Sequence, residues 1–199
     1  MRVSILKSKP DVYSGNSYLV RGDWNKIEDV NTLIDVGTDG SISEDLITYN
    51  TGVGKHKVDQ VIITHEHFDH AGGLKKIVEL FNPRVLAFNM IPCVSIKAYD
   101  NMDIKIGDRN AVILYSPGHS NDSICIYCEE EQVLFSGDTP IFIKSSGGSY
   151  SEYFVDVIKR LINLKIKTIY SGHDIPITKN AEEILKNTLK NVLNSKISS

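Results

Sequence analysis

The sequence predicts a mixed α/β (α+β) domain in which two sheets face each other and helices cover their outer faces. Three observations carry this. Short apolar runs of strand character fill the first third and the middle of the chain, and separate segments show helical periodicity. Their order, βββ(α)βαβ, then a run of strands, then αβα, fits neither strict βαβ alternation nor an all-β pattern. The chain has 199 residues, 41% hydrophobic and 24% charged, with no Pro- or Gly-rich linker, so it reads as one domain over residues 1–199.

The first strands are "RVSIL" (2–6), "NSYLV" (16–20) and "NTLIDV" (31–36), separated by the turn-rich "SKPD", "RGDWN" and "GTDG". A modest helix is expected over 43–50. "VDQVIIT" (58–64) is apolar on both faces at Val61, Ile62 and Ile63, as a buried central strand requires. Leu74, Ile77, Val78 and Phe81 then form one stripe of a helix that Asn82-Pro83 stops. Strands follow at 84–88, 102–106, 111–116, 123–128 and 132–137. A capping box of Ser149 and Glu152 predicts a helix over 150–163 that buries Phe154, Val157, Ile158 and Leu161. A last strand at 167–172 precedes a helix over 179–195 that buries Ala181, Ile184, Leu185, Leu189 and Val192.

Composition excludes several roles. The formal charge is −3 and the basic residues are scattered; "KHK" (55–57) and "KIK" (165–167) are too small for a nucleic-acid track. No apolar run approaches the roughly 18 residues of a membrane span. The opening "MRVSILKSKPDVYSG" has no apolar signal core, so a cytoplasmic location is expected. Cys125 and Cys128 form a C-x-x-C, but in a strand residues three apart point to opposite faces. They read as free thiols rather than as a redox or zinc pair.

The segment "THEHFDHAGG" (64–73) crowds His65, His67, Asp69 and His70 into six positions, with no packing or turn rationale for doing so. His65 and His67, two apart in extended chain, share one face and suit a single ion. Asp69 and His70 face a second ion only if the backbone bends, which Ala71-Gly72-Gly73 permits. Downstream, "YSPGHS", "LFSGDTP" and "IYSGHD" place His119, Asp138 and His173 just past strand ends, each after a glycine. His56 reads as an ordinary surface histidine. Asp35 and Asp39 in "IDVGTDG" read as turn or cap residues, with Asp35 also suited to support a ligand from behind.

"HEHFDH", the later "GH", "GD" and strand-end "GH", with the lead-in "NSYLV…TLIDVG", resemble the metallo-β-lactamase superfamily over nearly the whole chain. The resemblance implies a four-layer αββα sandwich with a two-metal site in the cleft at the sheet edges. It would assign His65, His67 and His119 to a first metal and Asp69, His70 and His173 to a second. Asp138 would bridge both. This thiolate-free donor set suits two divalent ions, Zn²⁺ first, with Fe or Mn as alternatives. Two such ions share a hydroxide that serves as nucleophile, with Asp69 orienting it and Asp138 holding the pair.

The carboxylate at Asp138 separates the chain from zinc β-lactamases that carry a Cys there, and nuclease branches have long arms that this sequence lacks. "SPGHSNDSICIY" partly resembles the glyoxalase-II-like branch, and 26 residues follow His173 where that branch has a longer helical extension. The expected activity is therefore hydrolysis of a small ester, thioester or lactone, acting on a small molecule without a nucleic-acid or membrane partner. The alternatives are a mono-iron persulfide dioxygenase using His67, His119 and Asp138, a phosphodiesterase or nuclease, and a non-catalytic metal-bound scaffold. The stretch 139–154 is expected to help recognise substrate, with a mobile Gly/Ser loop at 145–149 and Phe142, Tyr150 and Tyr153 as candidate pocket residues.

Overall fold

The computed structural model describes residues 1–198. Strands β1 (Arg2–Leu6), β2 (Ser17–Arg21) and β3 (Thr32–Ile34) precede the short helix α1 (Ile42–Leu46), β4 (Gln60–Ile62), and helices α2 (Phe68–Ala71) and α3 (Leu74–Phe81). Then come β5 (Arg84–Ala87), β6 (Ile96–Lys97), β7 (Met102–Ile106), β8 (Arg109–Tyr115), β9 (Ile124–Cys128) and β10 (Val133–Gly137). The chain continues through β11 (Ser149–Ser151), α4 (Glu152–Ile162), β12 (Thr168–Ser171), α5 (Ala181–Leu193) and β13 (Lys196–Ser198).

Six strands form one sheet in the order β1-β2-β3-β4-β5-β6, and five form a second in the order β12-β10-β9-β8-β7. The first sheet is antiparallel from β1 to β3 and parallel from β3 to β6. The second is antiparallel except where β12 joins β10 in parallel. Three apolar clusters define four layers. Tyr18, Ile62, Ile113, Ile126 and Phe135 fill the space between the sheets. Leu19, Val61, Ile63 and Ile77 join the first sheet to α1 and α3, whereas Leu134, Phe154, Ile158 and Leu185 join the second sheet to α4 and α5. The αββα expectation holds.

The period of two explains why β4 is apolar throughout. Ile62 points between the sheets, while Val61 and Ile63 point to the helices. The same rule separates Cys125, which packs on the helix side, from Cys128, which packs between the sheets; both are free thiols. Phe135, fully buried, stacks on Tyr170 at 5.1 Å and meets Tyr18 edge-on at 5.7 Å. Phe135→Ala should cost about 3–5 kcal/mol in denaturant unfolding, the range for emptying a tightly packed aromatic site.

Several expectations need correction. The helix expected over 43–50 is only the five residues Ile42–Leu46. The strand expected over 58–64 shortens to Gln60–Ile62, because Asp35 takes the Thr64 N–H that a ladder would have used. Helix α4 is capped by Ser151, whose hydroxyl accepts from the Phe154 N–H, and not by Ser149, which is drawn into β11 by parallel pairing with β13. Strands β6, β11 and β13 were not expected: their two or three residues show no alternation long enough to read. Helix α3 ends as expected, on Asn82 in the left-handed conformation (φ 47°).

Candidate metal centre

Strands β4, β8, β10 and β12 all run out at one end of the sandwich, so the loops after them meet there. β4 delivers His65 and His67, the latter as the extended residue that starts α2. That single turn carries Asp69 and His70 back towards the sheet and supplies the bend the sequence requires. Gly72 and Gly73 allow it by close approach: a Cβ on Gly72 would lie 2.3 Å from the Thr38 carbonyl oxygen, and one on Gly73 2.3 Å from the Gly40 nitrogen.

Three donor groups result: His65, His67 and His119; His65, His70 and Asp138; and Asp69, His70 and His173. Within each group the potential ligand atoms all lie within 4.8 Å of one another. His67 Nδ1 is 3.0 Å from both His65 Nε2 and His119 Nε2. His173 Nε2 is 3.2 Å from Asp69 Oδ2. Asp138 stands between the two sets, with Oδ2 3.5 Å from His119 Nε2 and 3.4 Å from His173 Nε2, and Oδ1 3.3 Å from His70 Nε2. All seven residues singled out in the sequence converge. His56 stays outside every group.

The residues behind the cluster fix which ring nitrogen each buried histidine presents. Asp35 is 2% exposed; its Oδ2 lies 2.8 Å from His70 Nδ1 and accepts from the Thr64 hydroxyl at 2.8 Å. The Thr64 hydroxyl, its proton given to Asp35, is 3.1 Å from His65 Nδ1 and accepts from it. Both histidines are thus left with Nε2 facing the centre. Asp122, 5% exposed, accepts from the Glu66 N–H at 2.8 Å and the Ser120 hydroxyl at 2.7 Å, tying the His65–His67 segment to the His119 turn. No local pattern marks Thr64 or Asp122 for these roles, because their partners are distant in the chain.

Two observations test whether these residues suit a metal. His70 Nε2 and Asp138 Oδ1 are buried yet lack hydrogen-bond partners, a costly state that a cation between them would relieve. Charge argues the same way. Burial opposes protonation of His70, but Asp35 and then Asp138 outweigh it and raise its pKa to about 10. Burial also works against the Asp138 carboxylate, and His70 overrides that, holding its pKa at about 2. For His65, burial, reinforced by His70, lowers the pKa to about 4; for His119, burial also lowers it. One imidazolium therefore faces the carboxylates of Asp35, Asp69 and Asp138, while His65 stays neutral as a ligand must. The set fits divalent cations.

Glycine makes room for this crowding. A Cβ on Gly172 would lie 2.0 Å from Asp138 Oδ1 and 2.6 Å from His70 Cε1. Gly172→Ala should therefore displace both groups and reduce activity on the order of 10²-fold, as misplacement by about 1 Å does. Unchanged metal content and turnover in that variant would mean the two groups need not be so close.

Beside the centre lies a cleft of about 660 Å³, walled by Ile141, Phe142, Lys144, Ile175 and Ile177, with Asp138 and His173 at its floor. Tyr13 stacks on His173 at 5.7 Å and extends the aromatic rim towards Phe68. Phe142 lines the cleft as expected; Tyr150 and Tyr153 do not. Tyr150 packs on Phe154 at 5.5 Å, and Tyr153 is exposed. Within the exposed 145–149 segment, the Gly147 N–H donates to Ser195 Oγ at 3.0 Å and the Gly148 carbonyl accepts from Lys196 N–H at 3.1 Å.

The family description "Metallo-beta-lactamase superfamily" matches residues 10–173, and the chain belongs to that family. Among individual proteins it is similar to an atrochrysone carboxyl ACP thioesterase from Aspergillus fumigatus, 28% identical over 146 residues, 71% of this chain and 46% of the relative. A hydroxyacylglutathione hydrolase from Francisella tularensis subsp. novicida is 32% identical over 114 residues, 56% of this chain and 45% of the relative. The chain thus spans less than half the length of either. An archaeal metallo-β-lactamase superfamily protein from Sulfolobus tokodaii shares the fold, with a TM-score of 0.69 at 18% identity, covering 96% of this chain and 86% of that one. Among the described residues, no helix is long and apolar enough to cross a membrane.

Proposed function

We propose that this chain is a metal-dependent hydrolase of a small ester, thioester or lactone. The observation that carries the reading is Asp138, whose two oxygens approach His70 on one side and His119 and His173 on the other, so that two donor sets share one carboxylate. In this reading His65, His67 and His119 hold one divalent ion and Asp69, His70 and His173 a second, most directly Zn²⁺. The hydrolase relatives support the reaction class, and the thioesterase and the thioester hydrolase among them favour a thioester.

When bound, the ions would supply an activated water and polarise the scissile carbonyl at neutral pH. The chain's own groups do the rest. Asp69, whose side chain is only 8% exposed and whose Oδ2 lies 3.2 Å from His173 Nε2, would both help hold the second ion and orient the attacking hydroxide. Asp138 holds the two halves of the centre in register. No Ser or Cys nucleophile is required, and Cys125 lies buried among Ser116, Ser136 and Thr139. The cleft has the volume of a small-molecule site, and its isoleucine and phenylalanine walls offer apolar surface to a substrate arm. We read the partner as a small molecule, with neither nucleic acid nor membrane involved, and the location as cytoplasmic.

Metal analysis of natively purified protein, paired with a screen of thioesters, esters and lactones, tests the reading. The expected result is close to two transition-metal ions per chain and turnover of at least one of these substrates. A single tightly held iron with oxygen consumption on a persulfide would overturn it.

A further inference from the structure

The wall of the cleft is held from behind by α5. After Asp138 the chain runs without strand partners through Ile141, Phe142, Ile143 and Lys144. Ile141 and Ile143 pack into the core beneath α4 and α5, with Ile141 also reaching the cleft wall, while Phe142 and Lys144 stand exposed in the cleft, the Lys144 ammonium 5.0 Å from the Phe142 ring centre. The alternation is that of a strand, yet no strand supplies the hydrogen bonds.

Side chains of α5 supply them instead. The Thr188 hydroxyl donates to the Ile141 carbonyl at 2.8 Å and accepts from the Ile143 N–H at 3.0 Å. Asn191 Nδ2 donates to the Ile143 carbonyl at 2.7 Å. Ser195 Oγ accepts from Gly147 N–H, and β13 then pairs with β11 in parallel. Thr188 and Asn191 fall at i and i+3 on one face of α5, and Ser195 lies two residues past its end. Thr188 is fully buried, so its hydroxyl is an unusual choice unless the two bonds matter.

We propose that Thr188 and Asn191 are positioning residues that set the substrate preference of the metal centre. They act through the register of residues 141–144. A one-residue slip would turn Ile143 into the cleft and bury Phe142 and Lys144, removing the aromatic and cationic part of a wall that Ile141, Ile175 and Ile177 otherwise make aliphatic. The residues lie some fifty positions from Asp138 and touch none of the metal-binding groups. The inference rests on the hydrolase reading above.

The test compares acetyl and octanoyl thioesters of N-acetylcysteamine on the metal-loaded full chain. Thr188→Val keeps the shape of the side chain and removes both bonds; Thr188→Ser keeps the bonds. In Thr188→Val the octanoyl-to-acetyl ratio of kcat/KM should change by about tenfold, through KM, while kcat on the acetyl thioester stays within about twofold. Amide exchange at Ile143 should quicken in the same variant, and Thr188→Ser should restore both properties. An unchanged ratio despite faster exchange at Ile143 would overturn the proposal, as would equal loss on both thioesters, which marks a merely structural role. Failure of the wild-type protein to hydrolyse any ester or thioester would instead remove the hydrolase reading, and this inference with it.

Discussion

Alanine at Asp138 should leave the protein folded and abolish turnover, by about three orders of magnitude or more. The size follows from what the carboxylate touches. Its oxygens lie 3.3–3.5 Å from histidines of both donor sets, so one truncation removes a shared ligand and opens the centre. Several kcal/mol of transition-state stabilisation go with it, at one power of ten per 1.36 kcal/mol. The fold should tolerate the change. Asp138 sits past the end of β10, its side chain is 13% exposed, and His70 keeps its bond to Asp35 without it. Metal content by mass spectrometry, with unfolding midpoints measured on the metal-free protein, separates the two effects. Turnover surviving in Asp138→Ala would show that the two sets need no common carboxylate.

The parts of this centre that were legible in the sequence share a cause. His65 to His70 are close in the chain, and His119, Asp138 and His173 each follow a glycine at a strand end, so local pattern reached them. Strand β7 and the buried stripes of α3 and α4 were readable for the same reason, since long alternation or helical spacing survives without tertiary context. What stayed hidden depends on groups that meet only after folding. Thr64 bonds Asp35 across 29 positions, and Asp122 bonds the Glu66 amide across 56. Ser149 illustrates the opposite failure. Ser149 and Glu152 have the spacing of a capping box, yet pairing of β11 with the chain terminus took Ser149 and left the cap to Ser151. A local signal there lost to a distant partner, whereas Thr188, which no local pattern marks, has a polarity that makes sense only beside residues 141–143.

Asp35 carries the second large effect. It is a buried non-glycine residue at φ 55°, a backbone conformation with a cost that its surroundings must outweigh. Three bonds do so: Oδ1 accepts from the Thr64 N–H, and Oδ2 serves both the Thr64 hydroxyl and His70 Nδ1, each at 2.8 Å. One oxygen therefore orients His70 directly and His65 through Thr64, which places a histidine of each donor set under the same control. Asp35→Asn preserves the volume but puts an amide N–H where one acceptor stood. Metal affinity should fall by about 10- to 100-fold, the usual effect of removing such a supporting bond. Asp35→Ala should go further, leaving His70 and the Thr64 amide unpaired in the interior and costing the metal-free fold about 3–5 kcal/mol, as breaking a buried pair does. Chelator competition on Asp35→Asn reads the first effect and denaturant unfolding of Asp35→Ala reads the second. Wild-type metal affinity in Asp35→Asn would mean that the histidines hold their orientation unaided, and the strained conformation at Asp35 would then need a different cause.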